Sequence, residues 1–104
     1  MNENGFAANL NEQMQFPAEG IFSKVLYKTE SYHYTLMCLA GGTDIDTHTS
    51  SKNGCVQVLK GKGTFVLNEQ EIAMEPGVFI YMPAGAPHSL KAEEDTAFLL
   101  CLHC

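Results

Sequence analysis

From Ile21 onward the chain runs in short apolar-rich bursts broken by turn residues. The bursts fall at Ile21–Lys28, Tyr32–Ala40, Ile45–Ser50, Cys55–Lys60, Gly63–Leu67, Glu71–Met74, Val78–Met82, His88–Lys91 and Thr96–His103. Regular spacing of this kind, with no sustained amphipathic helix, predicts an all-β sandwich or barrel of antiparallel strands with little or no helix. The punctuation fits: Gly41-Gly42 and Lys60-Gly61-Lys62-Gly63 supply positive φ in tight connections, and Asn68-Glu69-Gln70 is a short hairpin link. Residues 1–20 are rich in Asn, Gln, Glu and Ala with no period, and they read as an N-terminal arm, loosely held or packed on a partner subunit. Residues 21–104 then form one β-barrel domain.

Composition narrows the function classes. A chain of 104 residues with 45% hydrophobic content is enough for one core. Twelve acidic residues stand against six basic ones, and the formal charge of −6 carries no Lys/Arg cluster, so neither nucleic acid nor an anionic membrane is an expected partner. The polar start and the lack of any apolar run near the roughly 20 residues of a bilayer span make a cytoplasmic protein the simplest expectation. Cys38, Cys55, Cys101 and Cys104 are therefore expected as reduced thiols. Cys101-Leu102-His103-Cys104 has C-x-x-C spacing, but on a strand residues three apart face opposite ways and do not make a metal pair.

Two stretches carry more specific information. Gly77-Val78-Phe79-Ile80-Tyr81-Met82-Pro83-Ala84-Gly85-Ala86-Pro87-His88 spells G, five residues, P-x-G, two residues, H. Gly42 to Gly61 spells G, five residues, His48, then twelve residues to G. Together they resemble the two signature motifs of the cupin superfamily, in its small single-domain, RmlC-like form, over residues 42–92. The resemblance implies a double-stranded β-helix, or jelly-roll barrel, with His48 and His88 facing each other across a pocket. It also implies a metal-ligand set, which this chain fills incompletely: Ser50 stands where the second histidine of the first motif would be, and Gly54 at the glutamate position.

On an extended strand Asp44, Asp46, His48 and Ser50 all fall on one face, because side chains repeat every two positions. Asp46, His48 and His88 would then make a two-histidine, one-carboxylate set for a divalent transition metal such as Fe, Mn, Ni or Zn. The plainer reading leaves Asp44 and Asp46 as solvated charges at the barrel mouth. Without a metal, His48, Ser50, His88 and Tyr81 line a ligand pocket, with Val56, Val58, Phe79, Met82, Leu99 and Met37 as candidate apolar wall. His33 and His103 are expected to be hydrogen-bonded packing residues.

Three functions follow as expectations. The first is a small-molecule-binding cupin whose pocket keeps two histidines without a tight metal site. The second is a metal-dependent enzyme of dioxygenase, isomerase or decarboxylase type acting on a small organic substrate. The third is a structural or regulatory module. A homodimer is expected in each case, through an exposed edge or the outward face of Cys55, Gln57 and Leu59. No motif for nucleophilic catalysis or phosphate cradling is present, and the catalytic residues of any reaction are unassigned.

Overall fold

A computed structural model describes residues 5–103. Its strands are β1 (Ile21–Lys28), β2 (Tyr32–Leu39), β3 (Asp44–His48), β4 (Asn53–Lys60), β5 (Gly63–Leu67), β6 (Gln70–Met74), β7 (Phe79–Met82), β8 (His88–Ala92) and β9 (Thr96–His103). They form a five-stranded sheet in the order β1-β2-β9-β4-β7 and a four-stranded sheet in the order β3-β8-β5-β6, with antiparallel pairs throughout. Helix among the described residues is the single turn α1 (Leu10–Gln13), whose Asn9 side chain accepts from the Asn11 N–H. This is the antiparallel all-β architecture the strand pattern predicted, in the jelly-roll form the cupin resemblance implied.

Alternation sorts each strand between two cores. Leu39, Val56, Val58, Phe65, Met74, Ile80, Met82, Leu90 and Phe98 meet between the sheets. A second, smaller cluster of Leu36, Cys38 and Ala97 lies on the outer face of the five-stranded sheet, because strand neighbours of inward residues must face outward. The N-terminal arm covers it. Met14 and Phe16 pack there beside Phe22, Leu26 and Leu59, Lys24 donates to the Gln13 side chain, and the Lys60 ammonium sits 5.2 Å from the Phe16 ring centre. The outward Leu59 expected to need a cover thus receives one from its own chain.

Two turns explain the local chemistry. Asn68 and Glu69 both take positive φ, 49° and 70°, the backbone of the two-residue hairpin whose twist matches its strands. Gly61 has φ +99°, and a Cβ there would collide with the Asp95 carbonyl, so that motif glycine is required by close backbone approach at the end of the barrel away from His48. At that end buried Thr96 closes the core polar-satisfied, its hydroxyl donating to the Glu94 carbonyl at 2.8 Å and accepting from the Lys62 N–H.

Candidate functional site

The opposite end of the barrel is where β3 ends and β8 begins. His48 and His88 pair directly across these strands, with ring centres 4.2 Å apart and planes inclined at 61°. His88 is 8% exposed and lies parallel to the Phe65 ring at 5.9 Å, whereas His48 is exposed at the rim. Each ring is fixed the same way: Nδ1 of His48 lies 2.9 Å from the Asp46 carbonyl, and Nδ1 of His88 lies 2.9 Å from the Ala86 carbonyl. A carbonyl only accepts, so each Nδ1 carries the hydrogen and each Nε2 is left with its lone pair in the neutral ring. The pair therefore offers two imidazole acceptors, oriented by backbone in the manner that orients metal-binding histidines.

The remaining expected donors do not join them. Ile45 opposes Leu90 and His48 opposes His88, so three steps along β3 match two along β8, and one residue is bulged out. The bulge resets the alternation. Ile45 and His48 both belong to the inward rank, while Asp44 opposes Lys91 on the outside. Asp46 and Thr47 line an outer cleft of about 430 Å³ with Asp44, Glu71, Ser89 and Lys91. Among the described residues the expected Asp46–His48–His88 triad does not form: Asp46 lines the outer cleft and contributes its backbone carbonyl to His48.

Ser50 is spent locally. Its hydroxyl accepts from the Lys52 N–H at 3.1 Å, and its carbonyl accepts from the Gly85 N–H at 2.8 Å, tying the β3–β4 loop to the second motif. Tyr81 is a second correction. In β7, Ile80 and Met82 are buried, so Phe79 and Tyr81, 59% and 55% exposed, face outward from the five-stranded sheet. Leu99 shares that outer side, opposite Leu36 and Gln57, whereas Val56, Val58, Met82 and Met37 do line the inner core.

Gly54 is more than a missing ligand. A Cβ there would stand 2.7 Å from Leu102 Cδ2 and 3.3 Å from Met82 Cε, so apolar side chains occupy the space a carboxylate would need. His33 shares this inner rank, opposite Leu102, which in turn opposes Gly54. Its Nδ1 accepts from the Lys52 ammonium at 3.4 Å, and partial burial, then Lys52 and Lys28, hold its pKa below the ordinary value. The Lys52–His33 contact was not legible in the sequence, since nineteen residues separate the partners. His103 instead packs edge-on to Tyr32 on the outside, at 5.3 Å, as a packing residue would. Among the described residues no group of three or more His, Cys, Asp or Glu side chains is placed to hold a metal ion. Two imidazoles fall short of the three or four protein donors of ordinary transition-metal sites, so the donor set does not fit a tightly held metal.

With two sheets and a histidine from each motif facing one another, comparison with known proteins is decisive on family. The Cupin domain profile matches residues 35–103. The chain belongs to the cupin family. Among solved structures, this cupin is similar to a conserved protein of unknown function from Streptococcus pyogenes, at 25% identity and a TM-score of 0.86, covering 98% of this chain and 90% of that one. It is also similar to a Cupin 2 conserved barrel domain protein from Leptotrichia buccalis, at 28% identity and a TM-score of 0.87, covering 93% of this chain and 47% of that one. A salicylate 1,2-dioxygenase variant from Pseudoaminobacter salicylatoxidans shares the fold alone, at 22% identity and a TM-score of 0.75, over 90% of this chain and 30% of that one. Among curated proteins none matches. No helix among the described residues is long and apolar enough to cross a membrane.

Proposed function

We propose that this cupin binds a small organic molecule at the barrel mouth, with Nε2 of His48 and of His88 accepting hydrogen bonds from it. The observation that carries this reading is the identical fixing of the two rings: both Nδ1–H groups are committed to backbone carbonyls, which leaves two acceptors unused, one on exposed His48 and one on the largely buried His88 beside it. A ligand offering hydroxyl, amide or ammonium donors beside an apolar body suits that chemistry, because the surrounding inner rank is Phe65, Leu67, Met82 and Leu102. The test is a metabolite panel read by the melting temperature and by imidazole nitrogen NMR. A ligand of this site raises the melting temperature, moves both Nε2 signals, and loses its effect in His88→Ala. A ligand that stabilises wild type and His88→Ala equally overturns the assignment.

A second reading is a metal-dependent enzyme, favoured by the carbonyl-fixed imidazoles, which are prepared to donate Nε2 to a cation. It requires ligands from outside the described residues or from the substrate itself. Removal of either histidine would then abolish bound metal and turnover together. The homodimer is carried as a proposal through β1, an edge strand whose Ile21 and Val25 are 45% and 58% exposed. A single species of monomer mass in light scattering at micromolar concentration contradicts it.

A further inference from the structure

The outer face of the five-stranded sheet holds a pair of groups that the histidine site does not use. Cys55 on β4 and Cys101 on β9 are directly opposite one another, both half-buried and both free thiols. The same transverse row continues to Tyr34 on β2, opposite Cys101, and to Tyr81 on β7, opposite Cys55. Directly opposed residues of an antiparallel pair have Cα atoms about 4.5 to 5.5 Å apart. A disulfide requires about 4.4 to 6.8 Å, so these two sulfurs can be joined without moving either strand. Burial, followed by the neighbouring Cys55, pushes the Cys101 thiol up to about 11, and burial, then Cys101, Tyr32, Tyr27 and Cys55, raises Tyr34, so the row is one set of close neighbours.

We propose that Cys55 and Cys101 form an oxidisable dithiol, closed by a peroxide into a cross-strand disulfide and reopened by small thiols. Either cysteine can open the sequence; for Cys55 the steps are these. Cys55, as thiolate, attacks one peroxide oxygen; the S–O bond forms, the O–O bond breaks, and the departing hydroxide takes up a proton as water. Cys55 is then a sulfenic acid. The Cys101 sulfur attacks the Cys55 sulfur, the S–S bond forms, the S–O bond breaks, and the leaving oxygen departs as a second water with the Cys101 proton. Two thiols have lost two protons and two electrons, and the peroxide has been reduced to two waters. The resulting staple ties β4 to β9 beside Gly54 and Leu102.

The experiment treats the native full chain with hydrogen peroxide, one equivalent at a time, and reads intact mass and the disulfide-linked peptides. The expected result is loss of two hydrogen masses in one step, a Cys55–Cys101 linked peptide, and full recovery with dithiothreitol. The linkage persists in Cys104→Ser and Cys38→Ser and is absent from Cys55→Ser and Cys101→Ser. Overoxidation of one cysteine without a linkage, a Cys101–Cys104 linkage, or no change in the folded protein overturns the proposal. The wild-type peptide map alone decides it, so a variant that fails to fold leaves the test intact.

Discussion

The two faces of the β3–β8 pair are built from one stretch of sequence and do opposite things. The inner face carries His48, His88, Leu90 and Ile45, with both imidazoles fixed by backbone carbonyls and no carboxylate beside them. The outer face carries Asp44, Asp46 and Lys91 around a solvent-open cleft. A single bulged residue separates them. Side-chain alternation is a property of the pairing register and not of the sequence alone, so one extra residue moves a carboxylate from the histidine side to the solvent side. Any chemistry at the inner face has to proceed from imidazole acceptors and an apolar surround.

The comparison can be broken most severely from beneath the inner face. Phe65 is 1% exposed and stacked on His88, so Phe65→Ala should cost about 3 to 5 kcal/mol in urea denaturation and broaden the His88 imidazole signals. A smaller loss with sharp His88 signals would show that Phe65 does not position that ring. Next comes Gly54→Glu, which restores the motif carboxylate but drives it into Leu102 and Met82; about 1 to 3 kcal/mol of stability should be lost. Adding Leu102→Ala should return part of that stability and raise the metal retained after dialysis. If the double variant holds no more metal than wild type, apolar filling is not what excludes the third donor.

Acid stability sharpens the comparison at the rim. The folded-state pKa of His33 lies below its ordinary value of 6.5, so the unfolded chain binds the proton more readily. Stability from this group is complete above about 6.5 and is lost as pH falls through the lowered folded value. His33→Gln should flatten the acid side of the pH–stability curve measured by thermal unfolding; an unchanged acid flank would contradict the assignment. The smallest effect belongs to the outer face. Asp46→Asn should change stability by no more than about 0.5 kcal/mol and leave both histidine tautomers as they are, because His48 is held by the Asp46 carbonyl and not its side chain.

Much of this was legible from the residues, and the failures have specific causes. The turn residues and strand bursts placed every strand to within a few positions, and the cupin resemblance carried by the two glycine-histidine motifs implied that His48 faces His88. Asp46 was misplaced because nothing in Asp44-Ile45-Asp46-Thr47-His48 announces a bulge; only pairing with β8 reveals it. Tyr81 was misplaced because Phe79-Ile80-Tyr81-Met82 is apolar at every position, so alternation offered two equal choices until pairing with β4 put Ile80 opposite buried Val56. The arm showed no period because its only regular structure among the described residues is the single turn α1, and its packing contribution is the two side chains Met14 and Phe16 that follow it. The Cys55–Cys101 row lay in plain view as residues but needed the β4–β9 register to become a pair.

Among the described residues the inner face of the β3–β8 pair offers two imidazoles and no third donor placed to hold a metal with them. Elemental analysis of tag-free protein grown with Fe, Mn, Ni and Zn, comparing wild type, Asp46→Asn, His48→Ala and His88→Ala, tests it most directly. The predicted result is metal far below one per chain in all four. Near-stoichiometric metal in wild type that is lost in Asp46→Asn as well as in both histidine variants would contradict it and restore the carboxylate to the site.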